Sequence, residues 1–230
     1  MHKLLIPLAA AAAAASLVAA SPASWSEQTP LVVDDDVKVP VELGVMSKCP
    51  DALACESIFD QVIPKVGTKM DLELLYIGQI DDSDEEFGVT CKHGPEECAG
   101  NVQQLCVKKY APDQWWSFVH CQDYQGKAKI GQPDIALKCA KIAKIDWEES
   151  GVGECAGLDG SGRGQEGVEL LKESVKVSKT LGIEKSCTVR INGEAVCIRD
   201  GTWKECENGH SVNDFVRQIN SAYDQLNRFA

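Results

Sequence analysis

Beyond its first twenty positions the sequence has no apolar run approaching the roughly 17–25 residues that a bilayer span needs, so no later segment is predicted to cross a membrane. None of Asn101, Asn192, Asn208, Asn213 or Asn220 begins Asn-x-Ser/Thr, and the chain therefore lacks an acceptor for an N-glycan. The Gly-x-Ser-x-Gly turn that presents a hydrolase serine is missing. The glycine-rich stretch 157–164, GLDGSGRG, lacks the Gly-Lys-Ser/Thr ending of a phosphate loop and follows no strand, so it is predicted to be a flexible connector. Positive charge is also scarce. Lys and Arg number 23 against 35 Asp and Glu, a net charge of −12 that disfavours nucleic acid and anionic membrane as partners and supports solubility. No internal repeat is evident.

Cysteine, by contrast, is abundant. Residues 1–20 open Met1-His2-Lys3 and continue into an alanine- and leucine-rich stretch with small residues near Ala20, the pattern of a secretory signal peptide. Eleven cysteines behind such a leader predict a disulfide framework, because bridges persist in oxidising compartments. Eleven is odd, so at least one thiol is left to stay free, to bridge another chain or to exchange partners. The expected organisation is a leader over 1–20, a disordered polar lead-in over 21–36 and one domain over 37–230.

Val37, Val39, Val41, Leu43 and Val45 alternate with other residues, which is the period of a strand. Pro40 weakens the early pairing of that strand. Cys49-Pro50 then opens a helix with Leu53, Ile58, Phe59, Val62 and Ile63 near one face, Pro50 fitting the first turn. A second strand is predicted over 72–77. Helical spacing recurs over 101–110, 113–121 and 133–145, forming a cysteine-studded helical insert over about 91–164. Residues 81–86 are acidic and read as a solvated loop. A helix over 165–181 ends at Gly182. Asn192-Gly193 between two short apolar runs marks a β-hairpin, and a last helix starts at Ser211 with Asp214 spaced as its capping partner. Strand, cysteine at a helix start, helix and strand, followed later by a hairpin and a terminal helix, predict an α/β thioredoxin-like fold with a cysteine-rich helical insertion.

Cys49 sits where backbone N–H groups at a helix start stabilise a thiolate, the form that attacks disulfides. Spacing alone leaves that role level with a permanent bridge. Residues 91–106, CKHGPEECAGNVQQLC, then place Cys91, His93, Gly94, Glu97, Cys98, Asn101 and Cys106 at fixed offsets. This segment resembles the signature C-x-H-G-x2-E-C-x2-N-x4-C of the gamma-interferon-inducible lysosomal thiol reductase family, filling every specified position. The resemblance implies a thioredoxin-like disulfide reductase of the secretory and endolysosomal route with Cys49 as nucleophile, disulfide-containing proteins as substrates, a small thiol as reductant and no dissociable cofactor. Family members that reach lysosomes on sugar tags use glycans, so the expected destination is extracellular, or a lysosome or vacuole.

The sequence departs from the family at two points. The usual C-x-x-C is replaced by Cys49-Pro50-Asp51-Ala52-Leu53-Ala54-Cys55, with Ala52 in the second cysteine's position. Six residues turn roughly 600° on an ideal helix, so Cys55 could resolve a mixed disulfide on Cys49 only if residues 50–54 were unwound. In addition, thioredoxin-like reductases carry a cis-proline ahead of the hairpin, where this chain has Cys187. That placement makes Cys187 a candidate third redox partner of Cys49, or the odd thiol. Within the signature, Cys91, Cys98 and Cys106 are expected to form structural bridges, with Cys121, Cys139 and Cys155 of the insert as further candidates. Cys197 and Cys206 are expected to pair locally. Which sulfurs join is left open by sequence. A zinc site at Cys91, His93, Cys98 and Cys106 is disfavoured by the missing C-x2-C knuckle, and His93 is expected to make a buried hydrogen bond beside Gly94. His120 and His210 read as surface or packing residues. The reading from another class is a non-catalytic, disulfide-stapled secreted binding protein that keeps the fold without the chemistry.

Overall fold

Val39, Val41, Leu43 and Val45 are completely buried and lie on an interior strand of a five-stranded sheet. The computed structural model describes residues 36–228. The expected leader over 1–20 and the lead-in before Asp36 lie outside the described residues.

The strand β1 (Val39–Val45) leads through a tight turn into the helix α1 (Pro50–Val66), a short 3-10 turn and the strand β2 (Met70–Tyr76). β1 and β2 pair in parallel with Val41 opposite Leu72 and Leu43 opposite Leu74, so the segment is a βαβ unit. Pro40 has no N–H to give the sheet, while its carbonyl accepts the N–H of Asn192 at 2.8 Å. A two-stranded ribbon, β3 (Gln79–Ile80) with β4 (Val89–Thr90), flanks the acidic turn. The helices α2 (Pro95–Tyr110), α3 (Pro112–Gln125), α4 (Pro133–Ile142) and α5 (Val152–Ala156) follow, and α6 (Gln165–Thr180) returns the chain to the sheet. There β5 (Thr188–Ile191), β6 (Glu194–Asp200) and β7 (Thr202–Lys204) complete the order β2-β1-β5-β6-β7, before α7 (Val212–Leu226) closes the fold.

Local chemistry sets several of these boundaries. Asn192 and Gly193 both have positive φ, 52° and 83°, as a two-residue hairpin turn matched to strand twist requires. Ser211 accepts the N–H of Asp214 while the Asp214 carboxylate accepts that of Ser211, a complete capping box on α7. α2 starts six residues earlier than its apolar spacing predicts. Gly94, at φ 93°, redirects the chain and Pro95 supplies a preset first turn.

The stretch 157–164 is not a flexible connector. Gly160, Ser161 and Gly162 are buried, the Gly160 carbonyl accepts the Gln103 amide at 2.8 Å, and a Cβ on Gly162 would overlap the Ala99 backbone. The buried amides continue inward from there. Gln103 accepts from Gln122, Gln122 from Gln104, and the Gln104 side-chain oxygen accepts the Tyr76 hydroxyl at 2.7 Å. This chain of satisfied polar groups ties α2 and α3 to the end of β2. On the other side of α1, Phe59 meets Phe215 of α7 with ring centroids 5.2 Å apart. No helix among the described residues is long and apolar enough to cross a membrane.

Candidate active site around Cys49

Cys49 is the N-cap of α1, at the point where the chain leaves β1. Its N–H donates to the Met46 carbonyl at 2.8 Å and its own carbonyl accepts from Leu53 at 3.2 Å, so the residue closes the turn and opens the helix. It is 8 % exposed, and its thiol points toward the Ser186 carbonyl at 3.8 Å. Pro50, which has no N–H, occupies the first helical position.

The other ten cysteines are bonded. Cys91 pairs with Cys98, Cys106 with Cys155, Cys121 with Cys139, and Cys197 with Cys206. The fifth bridge joins Cys55 to Cys187 across 132 residues, with Cα atoms 6.3 Å apart. Cys49 is the one free cysteine.

Two expectations need correction. Cys55 does not face Cys49 as a resolving thiol, because α1 is continuous from Pro50 and carries Cys55 away from the helix start into a bond with Cys187. Cys187 is neither the odd thiol nor the bonded partner of Cys49. The segment holding it nevertheless lies against the site. Ser186 presents its carbonyl to the Cys49 thiol, and its hydroxyl accepts the Met46 N–H at 3.0 Å. The Ser186–Cys187 peptide bond is cis. Cys187 then exchanges two backbone hydrogen bonds with Arg199 of β6, at 2.9 and 2.8 Å. Ala52, at the position of the missing second cysteine, is fully buried one turn into α1.

The signature residues converge on the same turn. Glu97, fully buried on α2, accepts the Lys48 N–H at 3.2 Å and the His93 N–H at 3.1 Å, and its carboxylate meets the His93 ring at 2.5 Å. Asn101, one turn further along, accepts the Ser47 N–H at 3.2 Å and directs its amide at Cys91 Sγ. Ser47 donates its hydroxyl to the Glu97 carbonyl. The two residues before Cys49 are thus held by two signature side chains from a distant helix. His93 is not buried as expected. Its side chain keeps 31 % exposure, so one edge of the imidazole is bonded to Glu97 and the other can meet solvent or substrate. Cys106 and Cys155 bridge α2 to α5 and fix the far half of the signature helix.

Sequence spacing did not single out Ser47, Ser186 or Gly100. Gly100 has a local signal, being a glycine inside a helix, where it costs stability relative to alanine. A Cβ there would lie 2.8 Å from Ser47 Oγ, so its absence lets α2 approach the Cys49 turn. Further first-turn anchoring comes from Asp51, which accepts the Gly201 N–H at 2.9 Å and lies 3.3 Å from the Arg199 guanidinium. His120 lies beside Asp60, and His210 stacks on Trp203.

One buried acidic pair belongs to the support of α1. Glu56 is 2 % exposed, and neither of its carboxylate oxygens has a donor among the described residues. Burial raises its pKa from 4.5 to about 7, and the nearby Asp123 carboxyl is also pushed up, first by burial and then by Glu56.

A central sheet with the βαβ unit, a helical insertion, a β-hairpin and a terminal helix, with a cysteine capping the first helix, defines a thioredoxin-like fold. Solved structures of similar shape agree. The oxidised BdbD protein of Bacillus subtilis aligns with TM-score 0.56 and 14% identity over 83% of this chain and 90% of its own. MdbA, a thiol-disulfide oxidoreductase of Actinomyces oris, aligns with TM-score 0.56 and 14% identity over 85% of each. At such identities these likenesses establish fold alone.

Sequence kinship narrows the class. Residues 40–143 match the model described as gamma interferon inducible lysosomal thiol reductase. A gamma-interferon-responsive lysosomal thiol protein of Arabidopsis thaliana is 33% identical over 104 residues, 42% of this chain and 43% of that protein. A gamma-interferon-inducible lysosomal thiol reductase-like protein of Anopheles gambiae is 29% identical over 161 residues, 63% of this chain and 62% of its own length. Residues 40–143 thus resemble the gamma interferon inducible lysosomal thiol reductase family, and the matches span about half the length of these curated relatives.

Proposed function

We propose that this chain is a thiol-disulfide oxidoreductase that reduces protein disulfides in the secretory or endolysosomal route, with Cys49 as its sole attacking thiol. The observation that carries the reading is the position of the one free cysteine, capping α1 and facing the Ser186–Cys187 segment. The Cys49 thiolate attacks one sulfur of a substrate disulfide. A Cys49–substrate bond forms, the substrate S–S bond breaks and the other sulfur leaves as a thiolate. With Ala52 in place of a second cysteine and Cys55 bonded, release falls to a small thiol from solution. That thiol attacks the mixed disulfide at the substrate sulfur, frees Cys49 and becomes linked to substrate; a second thiol removes it. Two small thiols are oxidised to one disulfide for each substrate disulfide reduced.

Glu97 and Asn101 position the turn that carries Cys49. The match of residues 40–143 to a thiol reductase family and the fold shared with a thiol-disulfide oxidoreductase support this reading. A binding protein without redox chemistry is the competing account, favoured by the replacement of the second cysteine with Ala52. Turnover of a self-quenched fluorescent disulfide protein in excess small thiol separates the two. The expected result is reduction by the full chain and none by Cys49→Ser; equal fluorescence release from both proteins overturns the proposal.

A further inference from the structure

A cleft of about 830 Å³ opens beside the Cys49 turn, outside the carboxyl ends of the parallel strands β1 and β2. Open α/β sheets place their ligands at this end because loops diverge there and leave a crevice. Met46, Ile77, Val175 and Ile183 supply its apolar wall. Met46 belongs to the cleft and to the catalytic turn at once, since its carbonyl accepts the Cys49 N–H and its N–H donates to Ser186.

The rim carries the opposite charge to the molecule. Lys92, Lys176 and Lys179 line the cleft against a single acid, Glu184, in a chain whose net charge is −12. The three lysines are exposed, and none of them forms an ion pair among the described residues. Lys92 follows the first cysteine of the signature, whereas Lys176 and Lys179 stand on successive positions of one face of α6, so two separate elements place cations around one apolar floor. Ser178, between them in sequence and also lining the cleft, is 2 % exposed with a hydroxyl that has no partner among the described residues. An apolar wall with unpaired cations at its edge complements a chain segment that presents apolar side chains alternating with carboxylates.

We propose that this cleft is a substrate subsite for extended polypeptide in which apolar and acidic residues flank the disulfide, which selects acidic–apolar disulfide proteins over basic ones. The inference rests on Cys49 being the attacking thiol, because the cleft lies beside its turn. Apolar side chains of the bound segment cover Met46 and Ile183, its carboxylates meet Lys92, Lys176 and Lys179, and the chain continues over Ser186 toward Cys49.

The test uses two fluorescein-labelled peptides with the same apolar residues around a disulfide, one flanked by glutamates and one by lysines, and a non-peptide aromatic disulfide. Binding is measured by fluorescence anisotropy on full-length Cys49→Ser protein, and kcat/KM is measured on the wild-type chain. The glutamate peptide should bind more tightly and show the higher kcat/KM, by at least about threefold for a few partly screened charges. Lys176→Glu with Lys179→Glu should abolish or reverse the preference in both assays without changing the rate on the aromatic disulfide. Added salt should narrow the preference. Equal binding of both peptides, or a preference that survives the double lysine substitution, overturns the subsite. So does a concentration-dependent dimer dispersed by that substitution, which would mean that a second copy of the chain covers the cleft. If the wild type reduces nothing, the catalytic reading fails, and the anisotropy arm still decides whether the cleft selects acidic–apolar chain.

Discussion

Glu97 holds the backbone N–H of Lys48 at 3.2 Å, although 49 residues separate the two in sequence. A fully buried carboxylate from the helical insertion therefore fixes the peptide unit next to the proposed nucleophile. The family signature acts here through geometry. Two of its three cysteines, Cys91 and Cys98, close the loop that carries His93, and its Glu97 and Asn101 reach across to Lys48 and Ser47.

Glu97→Ala should lower kcat for disulfide reduction by about tenfold or more, as misplacement of a reacting group does, while KM for a small disulfide stays near the wild-type value. Stability should fall by about 1–3 kcal/mol, because the Lys48 and His93 donors lose a buried charged acceptor. Glu97→Gln keeps an acceptor oxygen and should recover part of kcat. Denaturant melts alongside steady-state kinetics check both effects, and unchanged kcat in Glu97→Ala would remove the positioning role.

The Cys55–Cys187 bridge closes a loop of 132 residues and both cysteines are fully buried, which assigns it to stability. Replacing both by alanine should cost about 3–5 kcal/mol through the loop entropy returned to the unfolded chain, seen as a lower urea midpoint. Assayed well below its melting temperature, the double variant should still reduce a disulfide substrate. Loss of turnover in a variant shown to be folded by circular dichroism would make the bridge part of the redox cycle.

Glu56 gives the fold an acid-favoring stability profile. Its folded pKa of about 7 lies above the ordinary 4.5 because burial penalises its charge, and Asp123 opposite is shifted in the same direction. The folded chain therefore keeps a proton that the unfolded chain loses, so the contribution is complete below pH 4.5 and disappears as pH rises through about 7. Asp60 on α1 and Tyr76 on β2 are the other titratable groups that interact with this pair, and neither is a cation that could offset its charge. Urea midpoints should be higher at pH 5 than at pH 8, and Glu56→Gln should flatten the difference. A profile that rises toward pH 8 in the wild type would refute the assignment.

Phe59 is fully buried against Phe215, joining α1 to α7 beneath the helix that Cys49 caps. Phe59→Ala should destabilise the chain by about 3–5 kcal/mol. A change below about 1 kcal/mol in chemical denaturation would show that the contact is not part of a packed core.

The elements legible in the sequence are those whose cause is local. Asn192-Gly193 reads as a hairpin because only certain residues accept positive φ, and Ser211 with Asp214 reads as a cap because the two bond each other. The alternation in β1 and the place of Cys49 at the start of α1 were visible for the same reason. What spacing could not supply is long-range partnership. Helix geometry turns Cys55 away from Cys49, but nothing local names Cys187 as its partner, since that depends on which strand the helix face meets. Glu97 was readable as a signature position, whereas its grip on Lys48 depends on how the insertion docks. The glycines of 157–164 look like freedom in sequence, yet Gly162 is glycine because the Ala99 backbone lies against it.

The most direct test of the central claim is to trap the reaction. Full-length protein, reduced gently enough to leave its bridges intact, is mixed with a disulfide-linked peptide without small thiol, quenched in acid and mapped by mass spectrometry under non-reducing conditions. The account expects one peptide per chain, attached at Cys49 alone, with Cys55 still bonded to Cys187. An adduct on Cys55 or Cys187, or an unmodified Cys49 after the substrate disulfide has been cleaved, would contradict it.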